Sequence, residues 1–522
     1  VRCWWEERMP PLSAALTWPE RPTAHGFDAK RDAVGQKVHF GPLLAQVIGE
    51  QYAKSSLGHP HRLEDLADPQ SRSVTTGHQL CLAGGPAFTF HKIQTAITLA
   101  HRLQERWGTP VVPVFWLASE DHDFEEVSSL WDGTHWQTWS PQVAPGGPVG
   151  RMSSEGLTEE LKKWGDAAGL SASIMDGLKL LPNSTLSQAM RHWVHAMFGP
   201  HQVVVIDGDE RAFKETFSAV MQREVLEGVT HKEVSICNQA LESAGFKPQV
   251  HVRPCNLFHL TPGGRDRLVA SGEGWKSLGG AHWESSESLC QDIATHPEAF
   301  SPNALLRPVY QSQLLPDVAV VGGLAEVAYG MQLPGVFARL GLEQPIVVPR
   351  DSALVMPGRW SGLAAKAGVD DAMVLQPKSA WVDGLVEGAG GPDLASWRQS
   401  LRDESERASE ALTGVDRSLE GSVKATLAKM ESLLDRLGQQ SVKAVKRKEA
   451  EAMSRLDRLD GWIRPDGAWQ ERVVNFFLLA SEWEQQSDSA APLGDALAGA
   501  FLRGHESADW SPLVHVIRGA LR

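Results

Sequence analysis

Between residues 74 and 350, short unbroken apolar runs alternate with stretches of helical spacing. The first unit begins with the β-branched residues 74–76, which favour a strand. It ends with residues 111–118, an apolar run typical of a strand that is covered on both faces. Between them the spacing predicts an amphipathic helix, whose apolar face is formed by Ile93, Ile97, Ala100 and Leu103. This strand–helix–strand unit predicts a parallel sheet that binds ligands outside the carboxyl ends of its strands.

Three later apolar runs extend the predicted sheet, at residues 203–206, 318–321 and 346–349. Each is followed by glycine, acidic or basic residues, as the first two strands are. The repeat predicts an α/β fold with a doubly wound parallel sheet. Two segments, at about residues 140–200 and 210–300, lie between sheet strands, and we interpret them as insertions on this core.

From residue 394 to residue 463 the chain has no proline and is dominated by Lys, Glu, Arg, Ala and Leu. Apolar residues recur there at alternating three- and four-residue steps or their sums, which predicts a coiled-coil seam of about four heptads. The seam consists of Leu412, Leu419, Val423, Met430, Leu433 and Leu437. A turn near residues 438–441 is expected to join two helices into an antiparallel hairpin. Gly414 and Gly421 weaken the first helix, because an interior glycine costs about 1 kcal/mol.

The length of 522 residues allows two or three domains with ample core. A hydrophobic content of 42% and a charged content of 22% are those of an ordinary globular protein. We predict a core of residues 1–390, a helical coiled-coil hairpin of residues 391–464, and a C-terminal helical segment of residues 465–522 that packs back on the core.

The formal net charge of −14 argues against a protein whose main surface binds nucleic acid or anionic lipid. Five scattered cysteines without a CxxC pair indicate a reducing compartment. The sequence also lacks an apolar run of about 18 residues, the length that a membrane-spanning helix needs. These features predict a cytoplasmic protein that binds neither nucleic acid nor membrane.

Five carboxylates and a histidine lie within residues 119–126, at the carboxyl end of the second predicted strand. Such a group can bind a divalent metal, orient an amine, or act as general acid and base. The alternative is a solvated acidic turn that caps the following helix. Because of its place at the sheet edge we favour a site, with Asp121, His122 and Asp123 as catalytic candidates and Glu120 as a binding residue. No zinc motif accompanies the group, so no metal ligand is assigned.

The first predicted strand runs into a glycine-rich turn that enters the helix. Free N–H groups of such a turn can hold an anion, to which a nearby lysine adds charge. The segment matches neither the Walker sequence nor GxGxxG, and its glycines are equally explained by backbone geometry. The candidate binding residues are Thr76, Gly77, Gln79, Gly84, Gly85 and Lys92, with His78 as a further catalytic candidate.

A third group of candidate binding residues flanks the later strands, and consists of Arg307, Gln311, Glu326, Tyr329 and Arg350. Arginine at a strand end suits bidentate recognition of carboxylate or phosphate. Internal salt bridges with the many acids explain such residues equally well. Cys81 is expected to be a buried thiol, because no activating partner is visible in the sequence.

Several segments in this order resemble one known family: TTGHQLCLAGGPAFTFHK, VVPVFWLASEDHDFEEV, SPNALLRPVYQSQLLPDVAVVGGLAEVAYG, the following Pro349-Arg350, and PDGAWQERVVNFF. Over most of its length the chain resembles the cysteine ligases of bacillithiol biosynthesis, BshC. The resemblance implies a Rossmann-like core with inserted connecting segments, similar to that of class I aminoacyl-tRNA synthetases, although their HIGH signature is absent here. It also implies an α-helical coiled coil that is used in homodimerisation.

The resemblance further implies that the protein joins L-cysteine to glucosaminyl-malate through an amide bond, the last step of bacillithiol biosynthesis. Because a free acid needs activation before it forms an amide in water, ATP is the expected cofactor, together with a magnesium ion. In this hypothesis the turn with His78 and Lys92 holds phosphate or carboxylate, Glu120, Asp121 and Asp123 bind an amine or magnesium, His122 assists proton transfer, and Arg307 and Arg350 bind substrate carboxylates.

Two other classes of function stay open from the sequence. The first is a nucleotide- or metal-dependent enzyme that acts on another amino sugar or amino acid. The second is a coiled-coil scaffold whose core only senses a ligand.

Overall fold

The structure is a computed structural model that describes residues 22–35, 39–60, 62–141, 146–199, 202–388, 394–416, 420–488, 491–505 and 510–520. It divides into two compact units. The first unit consists of Val1–Pro357 with Glu471–Gly519, and the second of Gly358–Gln470 with Ala520–Arg522.

The helices are, in chain order, α1 (Ala24–Val34), α2 (Gly41–Lys54), α3 (Arg62–Ala67), α4 (Phe88–Trp107), α5 (Phe124–Val127), α6 (Leu157–Ala168), α7 (Ala172–Leu178), α8 (Leu186–Phe198), α9 (Arg211–Glu227), α10 (Val229–Ser243), α11 (Ser286–Thr295), α12 (Arg307–Leu314), α13 (Leu324–Gly330), α14 (Pro334–Leu340), α15 (Gly358–Lys366), α16 (Asp371–Val374), α17 (Lys378–Gly388), α18 (Leu394–Thr413), α19 (Glu420–Lys448), α20 (Ala450–Ile463), α21 (Phe476–Gln486) and α22 (Leu493–Gly504). The strands are β1 (Arg72–His78), β2 (Val111–Leu117), β3 (Ser129–Trp131), β4 (Trp136–Thr138), β5 (Val204–Asp207), β6 (Leu257–Thr261), β7 (Gly264–Ser271), β8 (Gly274–Ser277), β9 (His282–Trp283), β10 (Phe300–Pro302), β11 (Asp317–Gly322), β12 (Ile346–Pro349), β13 (Ser352–Met356) and β14 (Val514–Arg518).

In the described part of the first unit, five parallel strands form a central sheet in the order β12-β11-β1-β2-β5. Every residue of β2 is buried, which explains why its sequence is an unbroken apolar run. Helices α1 and α4 pack on the sheet, in a core that includes Phe27, Val34, Ala96, Leu99, Val74, Val318 and Ile346. The predicted α/β fold with a Rossmann-like parallel sheet is confirmed.

The direction in which the strands are added to the sheet reverses between β1 and β11. From β1 the chain moves outward through β2 to β5, whereas β11 and β12 extend the sheet in the opposite direction. A reversal of this kind is a topological switch point, where open α/β sheets bind their ligands. A binding site is therefore expected at the carboxyl ends of β1 and β11.

An antiparallel sheet occupies part of the predicted insertion of residues 210–300. Its strand order is β10-β6-β7-β8-β9. Residues 249–252, which precede this sheet in the chain, form no strand. The side-chain oxygen of Gln332 accepts hydrogen bonds from the N–H groups of Gln249 and Val250, at 3.2 and 2.9 Å, so these donors are not available to a sheet.

In the second unit, α18 and α19 pack against each other as a hairpin. Arg402 Nε lies 2.9 Å from Glu431 Oε1 across this pair. The predicted turn near residues 438–441 is wrong, because α19 continues through them, and the chain reverses between Thr413 and Glu420 instead. Gly414 follows α18 directly, where a residue without a side chain favours a helix end. Leu419 of the predicted seam lies outside the described residues.

The unit boundaries differ from the boundaries in the sequence prediction. Helices α15 to α17 precede residue 391 but belong to the second unit, where α15 and α17 pack on α20. Residues 471–519 belong to the first unit, in which β14 pairs with β13 in parallel. Among the helices that the structure describes, none has the length and apolar character needed to cross a membrane.

Candidate active site

Six of the residues singled out in the sequence meet at the switch point, where β1 and β11 end. We call them the switch-point cluster: Gly77, His78, Lys92, Arg307, Glu326 and Tyr329. They come from the end of β1, the second turn of α4, the start of α12, and α13. The parallel sheet and the helices that follow its strands thus bring together residues that are up to 252 positions apart in the sequence.

Lys92 is the buried cation of the switch-point cluster, with a side chain only 3% exposed. Its Nζ donates to the Gly77 carbonyl and to Glu326 Oε2, the latter at 2.7 Å. Glu326 Oε2 also accepts from Gly323 N at 2.8 Å, which closes the first turn of α13. Burial lowers the pKa of Lys92. Burial also opposes the negative charge of Glu326, but the positive charge of Lys92 outweighs this effect and holds the pKa of Glu326 below its usual value. The ion pair therefore ties the ends of β1 and β11 to α4.

His78 is held neutral at the end of β1. Its ring packs edge to face against Phe88, with a centroid distance of 5.0 Å. Burial, with the positive charge of Lys92 in addition, lowers the pKa of His78 to about 3. A neutral imidazole in this position can donate one hydrogen bond and accept another, but it is a weak base near neutral pH.

Cys81 lies beside this histidine, with Sγ 3.8 Å from His78 Nε2. Burial raises the pKa of the Cys81 thiol to about 12. Because the thiolate is the reactive form of cysteine, the thiol is inert at neutral pH, as expected from the sequence.

Arg307 keeps hydrogen-bonding capacity for a ligand. Its Nη1 donates to Gln311 Oε1 at 2.9 Å, and a second hydrogen bond joins it to the Tyr329 hydroxyl. No carboxylate forms an ion pair with Arg307 among the residues that the structure describes. Gln311 Nε2 donates in turn to Asp317 Oδ2 at 2.7 Å. Gln311 therefore orients Arg307 from within the fold, and the partly exposed guanidinium is the candidate anion-binding group.

A second group of charges lies at the ends of β2 and β5, and we call it the acidic-edge cluster: Glu120, Asp121, Asp209, Lys214 and Arg265. Lys214 Nζ is 2.7 Å from both Glu120 Oε1 and Asp209 Oδ1, and all three side chains are almost wholly buried. Burial raises the pKa of Glu120, an effect that Lys214 only partly offsets. Arg265 enters from β7, with Nη1 3.4 Å from Asp121 Oδ1 and its guanidinium 4.1 Å from the Phe258 ring centroid.

Asp121 is the carboxylate of this cluster that faces solvent, with a side chain 32% exposed. Burial opposes its charge, but the hydrogen bond from Gln79 and the charge of Arg265 outweigh burial and lower the pKa of Asp121. Gln79 Nε2 donates to Asp121 Oδ2 at 3.0 Å and to Glu126 Oε2 at 2.8 Å. Because Gln79 follows His78, it connects the acidic-edge cluster to the end of β1. An ionised, oriented and accessible carboxylate suits an ammonium group or a divalent cation.

The neighbours of Asp121 in the sequence are placed differently. His122 is exposed, with Nδ1 3.4 Å from Asp121 Oδ1. Asp123 Oδ1 accepts from Glu126 N at 3.2 Å and so forms the N-cap of α5. The capping alternative therefore describes the geometry of Asp123.

The N–H groups of Gly84 and Gly85 in the glycine-rich turn donate hydrogen bonds within the turn itself. Gly84 and Gly85 have φ angles of +80° and +78°, which favour glycine. Their N–H groups donate to the carbonyls of Cys81 and Leu82, at 3.2 and 2.9 Å. Asn475 Nδ2 covers the turn by donating to two of its carbonyls. These two amides are thus already used within the fold and are buried.

Thr76 and Arg350 also bind within the protein. The Thr76 hydroxyl donates to Val321 O at 2.8 Å, inside the sheet. Arg350 donates to both carboxylate oxygens of Glu471, at 2.9 and 2.6 Å, and lies 5.4 Å from the Phe88 ring centroid. For this arginine the geometry is that of the salt-bridge alternative.

Sequence reasoning missed three residues that bind the candidate site residues: Glu471, the partner of Arg350, and Lys214 and Arg265 of the acidic-edge cluster. Glu471 lies in the segment PDGAWQERVVNFF, yet nothing in its local pattern indicates a partner. Lys214 and Arg265 lie on α9 and β7, within the stretch interpreted as an insertion. The one available signal was the acidic Asp207-Gly208-Asp209 after an apolar run, which calls for a neighbouring cation.

The chain is similar to members of one known family over most of its length. The model of the bacillithiol biosynthesis BshC N-terminal Rossmann-like domain matches residues 19–351, and that of the BshC C-terminal coiled-coil domain matches residues 353–487. A protein of Cytophaga hutchinsonii named "Putative cysteine ligase BshC" is 33% identical over 426 residues, covering 80% of this chain and 79% of that protein. A protein of the same name from Salinibacter ruber is 30% identical over 485 residues, covering 88% of this chain and 87% of its own.

A solved structure from Campylobacter jejuni, named as a putative arginyl t-RNA synthetase, matches with a TM-score of 0.22 and 9% identity, covering 88% of this chain and 98% of its own. That similarity is too low to support a shared fold. The two family models together span most of the sequence, in the order of the two domains. This chain belongs to the BshC family of bacillithiol biosynthesis.

Proposed function

We propose that this protein is a cysteine ligase that joins L-cysteine to glucosaminyl-malate through an amide bond, the last step of bacillithiol biosynthesis. Family membership supports the class of reaction. One observation carries the proposal: two groups of opposite charge lie at the same edge of the sheet. The Arg307 guanidinium forms no ion pair with a carboxylate among the described residues, and the Asp121 carboxylate is ionised and accessible. Both substrates carry carboxylates, and both carry an amino group, the ammonium of cysteine and the amine of glucosaminyl-malate, so this edge is complementary to them.

We assign roles according to these contacts. Arg307 binds a substrate carboxylate through its remaining donors, and Asp121 binds the ammonium group. His78, being neutral, donates or accepts a hydrogen bond at the reacting groups. Lys92 and Glu326 position the strand ends, and Arg350 supports the site through Glu471.

We also propose that the reaction uses ATP and magnesium, because a free acid must be activated before an amide forms. A nucleotide–magnesium complex fits the same edge: the Glu126 carboxylate suits magnesium, and the Arg307 guanidinium has donors for a phosphate as well as for a substrate carboxylate. When bound, ATP supplies the activation of the carboxylate. Phosphate binding would depend on side chains, because the amides of Gly84 and Gly85 already donate within the turn.

The fold of the second unit is compatible with a homodimer formed through the hairpin. Met430, Leu433 and Leu437 lie at three- and four-residue steps on α19 and are about half exposed. We propose that a second copy of this chain covers them, and that the enzyme works in the cytoplasm.

A mass-spectrometric assay for bacillithiol tests the proposal. Purified protein is incubated with glucosaminyl-malate and cysteine, with and without ATP and magnesium. We expect product only with both, and we expect Asp121→Asn to abolish it while Glu155→Gln, a change at an exposed acid of the same unit, does not. Absence of product from the wild-type protein with nucleotide bound would refute the proposed substrate pair. Full turnover by the folded Asp121→Asn variant would remove Asp121 from the scheme.

A further inference from the structure

Three potential metal ligands that belong to neither the switch-point cluster nor the acidic-edge cluster meet in the first unit. Asp351 lies between β12 and β13, His505 follows α22, and His515 is the second residue of β14. Their ligand atoms all lie within 4.8 Å of one another. We call this group the Asp351 cluster.

The Asp351 cluster is shielded from water. The side chains of Asp351, His505 and His515 are 0%, 3% and 11% exposed. Asp351 Oδ2 is 2.6 Å from His505 Nε2 and 3.2 Å from His515 Nε2. The other carboxylate oxygen accepts from Leu513 N at 2.9 Å, which fixes the plane of the carboxylate.

Packing fixes both imidazoles with Nε2 toward the carboxylate. The His505 ring stacks on Trp510, with centroids 3.6 Å apart and planes 9° apart. The His515 ring stacks on Phe501 at 4.6 Å and 20°. Pairing of β13 with β14 sets Ala353 opposite His515, two residues after Asp351. Ligands held in this way lose little freedom when an ion binds.

We propose that Asp351, His505 and His515 bind a Zn²⁺ ion. Two imidazole nitrogens and one carboxylate oxygen form a common ligand set for zinc. With metal–ligand bonds of about 2.0–2.1 Å, ligand atoms in a tetrahedral site lie about 3.3 Å apart. The contact of Asp351 with His515 already has this spacing, and the contact with His505 must open by about 0.7 Å. A water molecule or a small rearrangement supplies the fourth ligand.

The ion would hold together three parts of the first unit that are distant in sequence. Asp351 follows Arg350, and Asp351 N donates to Thr95 Oγ1 of α4 at 3.1 Å. Zinc at Asp351 would therefore brace the turn that presents Arg350 to Glu471. Since the ligands do not belong to the switch-point cluster, the role is structural and independent of the identity of the substrates.

Metal analysis of the purified full chain tests the proposal directly. After incubation with zinc and removal of the excess, we expect about one zinc per chain by plasma mass spectrometry. His505→Gln and His515→Gln should each weaken zinc affinity by about 100-fold or more. His282→Gln, at an exposed histidine on β9, should leave zinc binding unchanged. Chelation should lower the melting temperature of the wild-type protein but not that of His515→Gln.

Cobalt provides a measurement that does not depend on the variants folding. Wild-type protein titrated with Co²⁺ should develop the intense visible bands of a tetrahedral nitrogen–oxygen site, saturating at about one ion per chain. Failure of the folded wild-type protein to retain zinc or to develop these bands would overturn the proposal. Unchanged zinc affinity in both folded histidine variants would overturn it as well.

Discussion

Glu471 accepts hydrogen bonds from both terminal nitrogens of Arg350, at 2.9 and 2.6 Å, from a position 121 residues further along the chain. The same carboxylate lies 2.7 Å from His91 Nδ1. Burial opposes the charge of Glu471, but His91 and Arg350 together outweigh burial and lower the pKa of Glu471 to about 2. The segment that begins at Glu471 thus supplies the counter-ion for an arginine that the sequence offered as a candidate for binding substrate carboxylates.

Replacing this counter-ion should destabilise the first unit. Glu471→Gln leaves the guanidinium of Arg350 buried without a full negative partner, so we expect a loss of about 3 kcal/mol in the free energy of unfolding. Urea denaturation followed by tryptophan fluorescence measures it, with Glu155→Gln as the exposed control. In a double-mutant cycle, Glu471→Gln with Arg350→Met should cost less than the sum of the single changes. A loss below about 1 kcal/mol for Glu471→Gln would contradict the assignment.

The neutral state of His78 should make stability depend on pH. The pKa of His78 is lowered from 6.5 to about 3, so between these values the unfolded chain binds a proton that the folded chain does not. Stability is therefore complete above pH 6.5 and falls as the pH decreases toward about 3. For this residue alone, the loss between about pH 7 and about pH 5 is up to about 2 kcal/mol.

Two histidine variants check this dependence. Between about pH 7 and about pH 5, His78→Gln should lose less stability than the wild-type protein, because the unfolded variant cannot bind a proton at this position. His282→Gln removes an exposed histidine and should follow the wild-type curve. Parallel curves for His78→Gln and the wild-type protein would show that the imidazole is protonated in the folded state.

The proposed anion-binding role of Arg307 predicts a change in substrate affinity. Arg307→Met should raise the KM for the substrate whose carboxylate it binds by about 10-fold or more, because a charge-assisted pair is lost. Arg307→Lys keeps the positive charge but lacks the forked donors of the guanidinium, so its KM should lie between the values for the wild-type protein and Arg307→Met. Steady-state kinetics by mass spectrometry measure this, with Arg339→Met on the exposed surface of α14 as control. A KM for both substrates that stays at the wild-type value would exclude Arg307 from binding.

Exposed apolar residues on α19 predict the assembly state. Leu433→Asp should convert the proposed dimer to a monomer, because it places a charge in an apolar interface. Light scattering after size-exclusion chromatography measures the mass. Leu226→Asp, at a similarly exposed leucine on α9, should leave the mass unchanged. A wild-type protein that is already monomeric would refute the dimer.

Local sequence patterns predicted the elements of the fold, because a buried strand or helix face requires apolar residues at its buried positions. A strand covered on both faces must be apolar at every position, so the runs at residues 111–118 and 346–349 were visible without a partner strand. The hairpin shows where this reasoning ends. Leu412 and Val423 keep coiled-coil spacing although the chain reverses between them, and periodicity alone cannot register that reversal.

The sequence by itself determined the parallel α/β sheet, the coiled-coil character of the later segment, and the polar residues at the strand ends. Tertiary structure alone decided which of those residues remain available to a ligand. Arg350 is neutralised by Glu471, Asp123 caps a helix, and Arg307 keeps its donors. Charge and hydrogen bonding act between atoms a few ångströms apart, and the fold, not the spacing along the chain, sets those distances.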